Sequence, residues 1–275
     1  MAQRARSTSI AIVAIRDRAP GAVISGIRRA GSIGLLLVLW GLISRFGPWP
    51  PWIFPGPIEV SKSLVELFRN GSLLPAIWIS ILRLMAGYGL SLVGGIPLGL
   101  LIARNRFADE LLGTPVLGLE ALPSITWLPV ALLWFGLSET AILFVVVAGS
   151  ILSIAIAAEA GVRNLNPSWI RAARTLGSKG FRLYTTVLFP ASLPALVAGA
   201  KLGWTFSWRS LMAAELLFVS GGLGQLLETG RELNDVSKIF AVMVVITLIG
   251  FCTEKLLFGP LERAVRRRFG TDVQT

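Results

Sequence analysis

Six apolar segments separated by short polar stretches constrain this chain more than any other feature. They cover residues 30–46, 76–103, 114–136, 140–160, 187–219 and 239–258. A helix needs about 20 predominantly apolar residues to cross a bilayer. The strict alternation of a strand is absent, and the runs are too long for one. The expected fold is all-α and polytopic, with about six transmembrane helices. Composition agrees: 54 % of the 275 residues are hydrophobic and 15 % are charged, against about a quarter charged in soluble domains. Neither an internal repeat nor a low-complexity segment is visible, so one domain is expected. It spans 30–262, with basic tails at 1–29 and 263–275.

The formal net charge of +11 could signal nucleic-acid binding. The charges, however, sit in tails and loops beside apolar segments, where they set topology instead. The N-terminal tail carries Arg4, Arg6, Arg16, Arg18, Arg28 and Arg29. The loop over 161–186 carries Arg163, Arg171, Arg174, Lys179 and Arg182, and the C-terminal tail Arg263, Arg266, Arg267 and Arg268. With six spans all three lie on one side, the cytoplasmic side. No small-residue cleavage site follows the first apolar run, so it reads as a retained helix rather than a signal peptide. Prolines 48, 50, 51, 55 and 57 break the chain after it. Trp49 and Trp52 suit the headgroup level. The stretch from Ile58 to Arg69 then reads as an amphipathic helix on the outer surface.

Catalysis finds little support. The chain has no His, the commonest general base, and no Walker A pattern. Its single cysteine, Cys252, lies in an apolar segment and can form no internal disulfide. No metal site and no cofactor are expected in this chain.

The cytoplasmic loop has its own pattern. Trp169, Ala172, Ala173 and Leu176 recur at helical spacing, Gly177 is placed to end the helix, and Pro190 and Pro194 mark re-entry into the membrane. A solvated loop serving only topology is the plainer reading of its composition. The order of residues resembles something more specific: the loop by which permease subunits of bacterial ABC importers engage their ATPase. The matching positions are Ala172, Ala173, Leu176-Gly177-Ser178, Pro190 and Pro194, with Arg171 where the family commonly has Glu. The likeness extends to Ser80–Tyr88, Gly95–Gly99, Leu122–Glu139, Ser207–Glu215 and Gly222-Leu223-Gly224. All of these are similar to permeases of the nitrate/sulfonate/taurine type. Glu120-Ala121 stands where many members carry Arg-Pro.

The resemblance implies a type I ABC importer permease working as a homodimer. Two ATPase subunits would bind ATP and dock on the loop at Arg171, Ala172, Ala173, Leu176, Gly177 and Ser178. A periplasmic or lipid-anchored binding protein would deliver a small oxyanion such as a sulfonate, taurine or nitrate. Charges inside spans are costly and face partners or water-filled paths, so Lys201, Arg209 and Glu215, with Trp127 and Trp208, are pathway candidates. Lys201 and Glu215 are ~21 Å apart along one helix and cannot pair; Arg83 or Glu120 could serve as partner. Pro97, Pro123 and Pro129 each remove a helix hydrogen bond. A stand-alone secondary transporter or channel stays open, although it would have no use for a docking loop. An intramembrane enzyme is a third reading that the missing His disfavours.

Overall fold

A computed structural model describes residues 18–50, 52–218 and 221–269. The expected basic tails lie partly outside them, at 1–17 and 270–275. Contacts divide the chain into two compact units, Met1–Ser63 and Leu64–Thr275. Helices, and no strands, occur among the described residues.

In the first unit, α1 (Arg18–Phe46) carries the first apolar run. Its apolar part, Gly31–Phe46, is shorter than the other spans. Leu35, Leu36, Val38 and Leu42 are exposed along it, as they would be on a lipid-facing helix. The chain folds back after it: Trp40 Nε1 donates to the Pro55 carbonyl at 3.1 Å, and Ser44 Oγ to that of Phe54 at 3.1 Å. Helix α2 (Pro57–Arg69) then starts where the amphipathic pattern places it.

The second unit contains the remaining spans: α3 (Leu73–Arg104), α6 (Glu139–Arg163), α8 (Thr185–Leu217) and α10 (Val236–Phe269). Each is long and apolar enough to cross a membrane. Segment three is different. It forms two helices, α4 (Arg106–Glu120) and α5 (Ser124–Phe135), bent by 104° at the break. A single straight span over 114–136 is therefore not what forms, and the long spans number four, or five if the bent pair counts as one. The cause is local. Pro123 adopts an extended ψ of 134° before the 3₁₀ turn Ser124–Trp127 that opens α5, while Pro129 sits in the first turn of its α-helical part, Leu128–Phe135, where a missing N–H costs nothing. Pro97 and Pro194, by contrast, lie inside continuous helices. Shorter helices in the unit include α7 (Pro167–Thr175) and α9 (Leu223–Glu232).

Helix α6 packs between α3 and α8 through small residues. In lipid, helices gain little from excluding apolar surface from water, so close backbone approach and interhelical polar contacts must hold them together. A Cβ at Gly99 would lie 2.1 Å from the Ala155 carbonyl oxygen, and one at Gly95 2.7 Å from that of Ile151. On the other side a Cβ at Gly199 would meet Ala157 Cβ at 2.3 Å. Leu84, Val145, Val146, Ile154 and Leu211 fill the centre. Tyr88 meets Trp204 edge-on at 5.2 Å and donates its hydroxyl to the Ala200 carbonyl at 2.9 Å. Replacing Gly99 by Leu should push α3 off α6 and lower stability by about 1–3 kcal/mol. Thermal unfolding of the detergent-solubilised protein measures this, and a melting temperature unchanged from wild type would contradict the packing.

Candidate functional site

The loop between α6 and α8 is built to present one short helix. Asn166 caps α7, accepting from the Ser168 amide at 3.0 Å, and Pro167 occupies the first turn. At the other end Gly177 has φ +85°. The Gly177 amide donates to the Arg174 carbonyl at 3.0 Å and the Ser178 amide to that of Ala173 at 3.0 Å. This paired termination needs a left-handed residue, which Gly supplies without strain. The expected helix stop is therefore realised at that residue.

The stripe read from sequence is split by the packing. Ala173 is buried among Val162, Leu183 and Leu188, and Ile170 packs against the same cluster. Trp169, Ala172 and Leu176 point away from it, with Leu176 86 % exposed. Arg171, Arg174 and Lys179 surround them in solvent. Arg171 Nη2 donates to Ser168 Oγ at 3.1 Å; Ser178 is half-buried. One side of α7 is thus anchored to the spans. The other side offers an apolar patch ringed by cations.

The intramembrane charges fall into three groups. The first is a buried cluster at the start of α6. Arg83 Nη1 donates to Glu215 Oε1 at 2.9 Å, and its Nε donates to Glu139 Oε2 at 2.7 Å. Ser80 Oγ lies 2.7 Å from Glu215 Oε2 and itself accepts from the Leu223 amide at 2.8 Å. The Gly224 amide donates to Glu215 Oε2 at 3.0 Å. The first amides of α9 lack partners within their own helix and are satisfied here by groups from α3 and α8. Gly222 and Gly224 are required by the fit: a Cβ at Gly222 would lie 2.2 Å from Glu215 Oε1. Glu215, one of the pathway candidates, is wholly enclosed among these partners. Arg83 is the partner that sequence considered. Glu139 was missed, because a carboxylate beside a span end has no local signature of a partner on another helix.

The second group pins α10 to α8. Lys201 Nζ lies 2.5 Å from Glu254 Oε1 and 3.8 Å from Glu262 Oε2. Lys201 is thereby engaged in a helix-to-helix ion pair. The third group lines a cavity of about 450 Å³ beside the α4–α5 break. Glu120, Ser124, Gly149, Ser153, Phe206 and Arg209 are among its walls. Ser153 Oγ donates to Glu120 Oε1 at 3.2 Å. Neither Trp127 nor Trp208 is on this wall: Trp127 packs near Phe144 at 6.1 Å, and Trp208 is half-buried against the core. Of the five pathway candidates, Arg209 alone lines the cavity. Broken helices in a membrane are tolerated where they line such a space.

The buried cluster makes a sharp prediction. Arg83→Met strands the enclosed Glu215 carboxylate and should cost about 3–5 kcal/mol. Glu139→Gln removes a partner that is 64 % exposed and should cost about 1 kcal/mol or less. Thermal unfolding of both variants in detergent distinguishes them; equal losses would refute the ranking.

Comparison with known proteins follows this geometry. The model of the family described as binding-protein-dependent transport system inner membrane component matches residues 95–267. A "Probable ABC transporter permease protein" of Brucella melitensis biotype 1 is 32 % identical over 218 residues, covering 79 % of this chain and 87 % of the relative. The taurine transport system permease protein of Escherichia coli K12 is 27 % identical over 243 residues, covering 86 % of each. The nitrate import permease protein of Synechocystis is 27 % identical, covering 84 % of this chain and 86 % of the relative. Among solved structures, the methionine ABC transporter MetNI in an inward-facing conformation shares the fold. Its TM-score is 0.62 at 20 % identity, covering 70 % of this chain and 95 % of that one. The chain therefore belongs to the binding-protein-dependent transport system inner membrane components, as a multi-pass permease of an ABC importer.

Proposed function

We propose that this permease carries a small oxyanion, a sulfonate, taurine or nitrate, inward across the membrane, driven by ATP that separate subunits hydrolyse. The observation that carries this reading is α7. Its inner side is fixed to the spans by Ala173, while Trp169, Ala172 and Leu176 stand exposed beside Arg171 and Arg174. A patch of apolar residues ringed by charge is what a soluble partner can bury. Two ATPase subunits would dock on α7 of two copies of this chain, with the path between the copies. ATP and its chemistry belong to those subunits; the permease supplies the surface and the movement. Both termini and the 161–186 loop face the cytoplasm, following the arginine distribution. The binding protein meets the opposite face, around α9. The transmembrane domain is taken as 30–262, with its basic tails outside it.

The bent α4–α5 pair supports an alternating path. Its two halves meet at Pro123 without a continuous helical ladder, so one can tilt with less distortion of the other. Closure of the ATPases would push α7, and the push reaches α8 through Leu183 and Leu188. Relatives that move taurine and nitrate set the proposed substrate class.

Gentle affinity purification of the tagged chain from its native membranes tests this reading. An ATPase recovered in equal amount supports it; the folded chain recovered alone in several detergents points to a stand-alone transporter or channel. Gly177→Val places a β-branched residue at φ +85° and should distort the end of α7 at a cost of roughly 1–3 kcal/mol. ATPase recovery should fall while membrane insertion persists. Unchanged recovery and unchanged ATP turnover would count against docking at this helix.

A further inference from the structure

The Glu120–Arg209 cavity carries charges of both signs on one set of walls. Glu120 ends α4 just before the break, and Arg209 projects from α8. Among the described residues the two form no ion pair with each other or with any other charged group. The Glu120 carboxylate accepts only the Ser153 hydroxyl, at 3.2 Å. Elsewhere in the spans, by contrast, Arg83, Glu215 and Lys201 are all closely paired. Intramembrane charges left unpaired face water or a ligand. The wall between them is polar and smooth: Ser124 and Ser153 line it, and Gly149 removes a side chain. A Cβ at Gly149 would lie 2.0 Å from Ser210 Oγ, a buried hydroxyl with no hydrogen-bond partner. Phe206 closes part of the lining. About 450 Å³ is within the range of small-molecule sites.

We propose that this open-sided cavity, with Glu120 and Arg209 both exposed at it, is a transit site for a small zwitterion, its anionic group at Arg209 and its ammonium group at Glu120. A plain oxyanion such as nitrate would satisfy Arg209 and be repelled by Glu120. A solute with both charges satisfies both walls, and an aminoalkyl sulfonate or an amino acid has the necessary length and polarity. Glu120 and Arg209 thus become specificity-determining residues of the permease, acting after any selection by the binding protein. This inference rests on the importer reading and narrows its substrate class.

The test uses the permease–ATPase complex in detergent without binding protein, and two isosteric pairs of probes: 2-aminoethanesulfonate against propane-1-sulfonate, and β-alanine against butanoate. Equilibrium dialysis with radiolabelled probes measures binding. At least one ammonium-bearing probe should bind ~10-fold or more tightly than its partner lacking the ammonium, the size expected for a charged hydrogen bond. Glu120→Gln should abolish that preference, Glu120→Asp should keep most of it, and Arg209→Gln should weaken both members of the preferred pair. Equal binding within both pairs, no binding by any probe, or a preference untouched by Glu120→Gln overturns the proposal. So does a Glu120→Gln variant that loses melting temperature but keeps its selectivity, since that marks a structural ion pair across a dimer. ATP turnover by the same complex is read in parallel. Turnover without charge discrimination removes the zwitterion and leaves the importer; absence of an associated ATPase removes the importer reading itself.

Discussion

The backbone-to-backbone seating of α6 between α3 and α8 is the contact on which the rest of this permease depends. Glycines 95 and 99 on one side and 199 on the other bring the helices so close that no added carbon fits. In a bilayer this close packing replaces the hydrophobic drive that assembles soluble bundles. It also fixes the distances between the polar side chains on those helices. Arg83 reaches Glu139 and Glu215 because α3, α6 and α8 are held at that spacing. Gly149, on the same helix, leaves room for Ser210 and for the wall of the cavity.

The charges then divide by what surrounds them. Arg83, Glu215 and Ser80 are enclosed; Ser80 and Glu215 accept from the first amides of α9, and Arg83 donates to Glu215. They tie a short surface helix to the ends of two spans, a structural role with a large penalty for losing any one partner. Lys201 does a similar service for α10. Glu120 and Arg209 are left facing space at the break in segment three. Paired charges thus tie helix ends together, while the proline break lies beside a pair of charges that do not meet.

Much of this was legible in the residues. Apolar run length marks α3, α6, α8 and α10, because a bilayer demands one length of helix and nothing else in the chain imitates it. The stop of α7 at Gly177 was legible too, since a left-handed cap favours one residue type. Segment three was not. Its apolar residues run through Pro123 without interruption, and proline alone cannot say whether a helix bends or breaks: Pro97 and Pro194 sit inside intact helices. On α7, periodicity grouped Ala173 with Trp169, Ala172 and Leu176, although Ala173 faces the spans. An amphipathic stripe gives spacing but not which edge meets a neighbour.

The amino-acid sequence by itself determined the class of the protein, its four long spans and the short helix α7, because each follows from local composition and spacing. Pairing was decided only by the tertiary structure. Arg83 and Glu215 are 132 positions apart, as no motif could indicate, and whether an intramembrane charge is locked or open depends on which helices lie beside it. Glu215 and Arg209 sit six residues apart on one helix, yet one is sealed and the other faces a cavity. Burial is a property of the packed bundle, set by the shape that neighbouring helices leave behind.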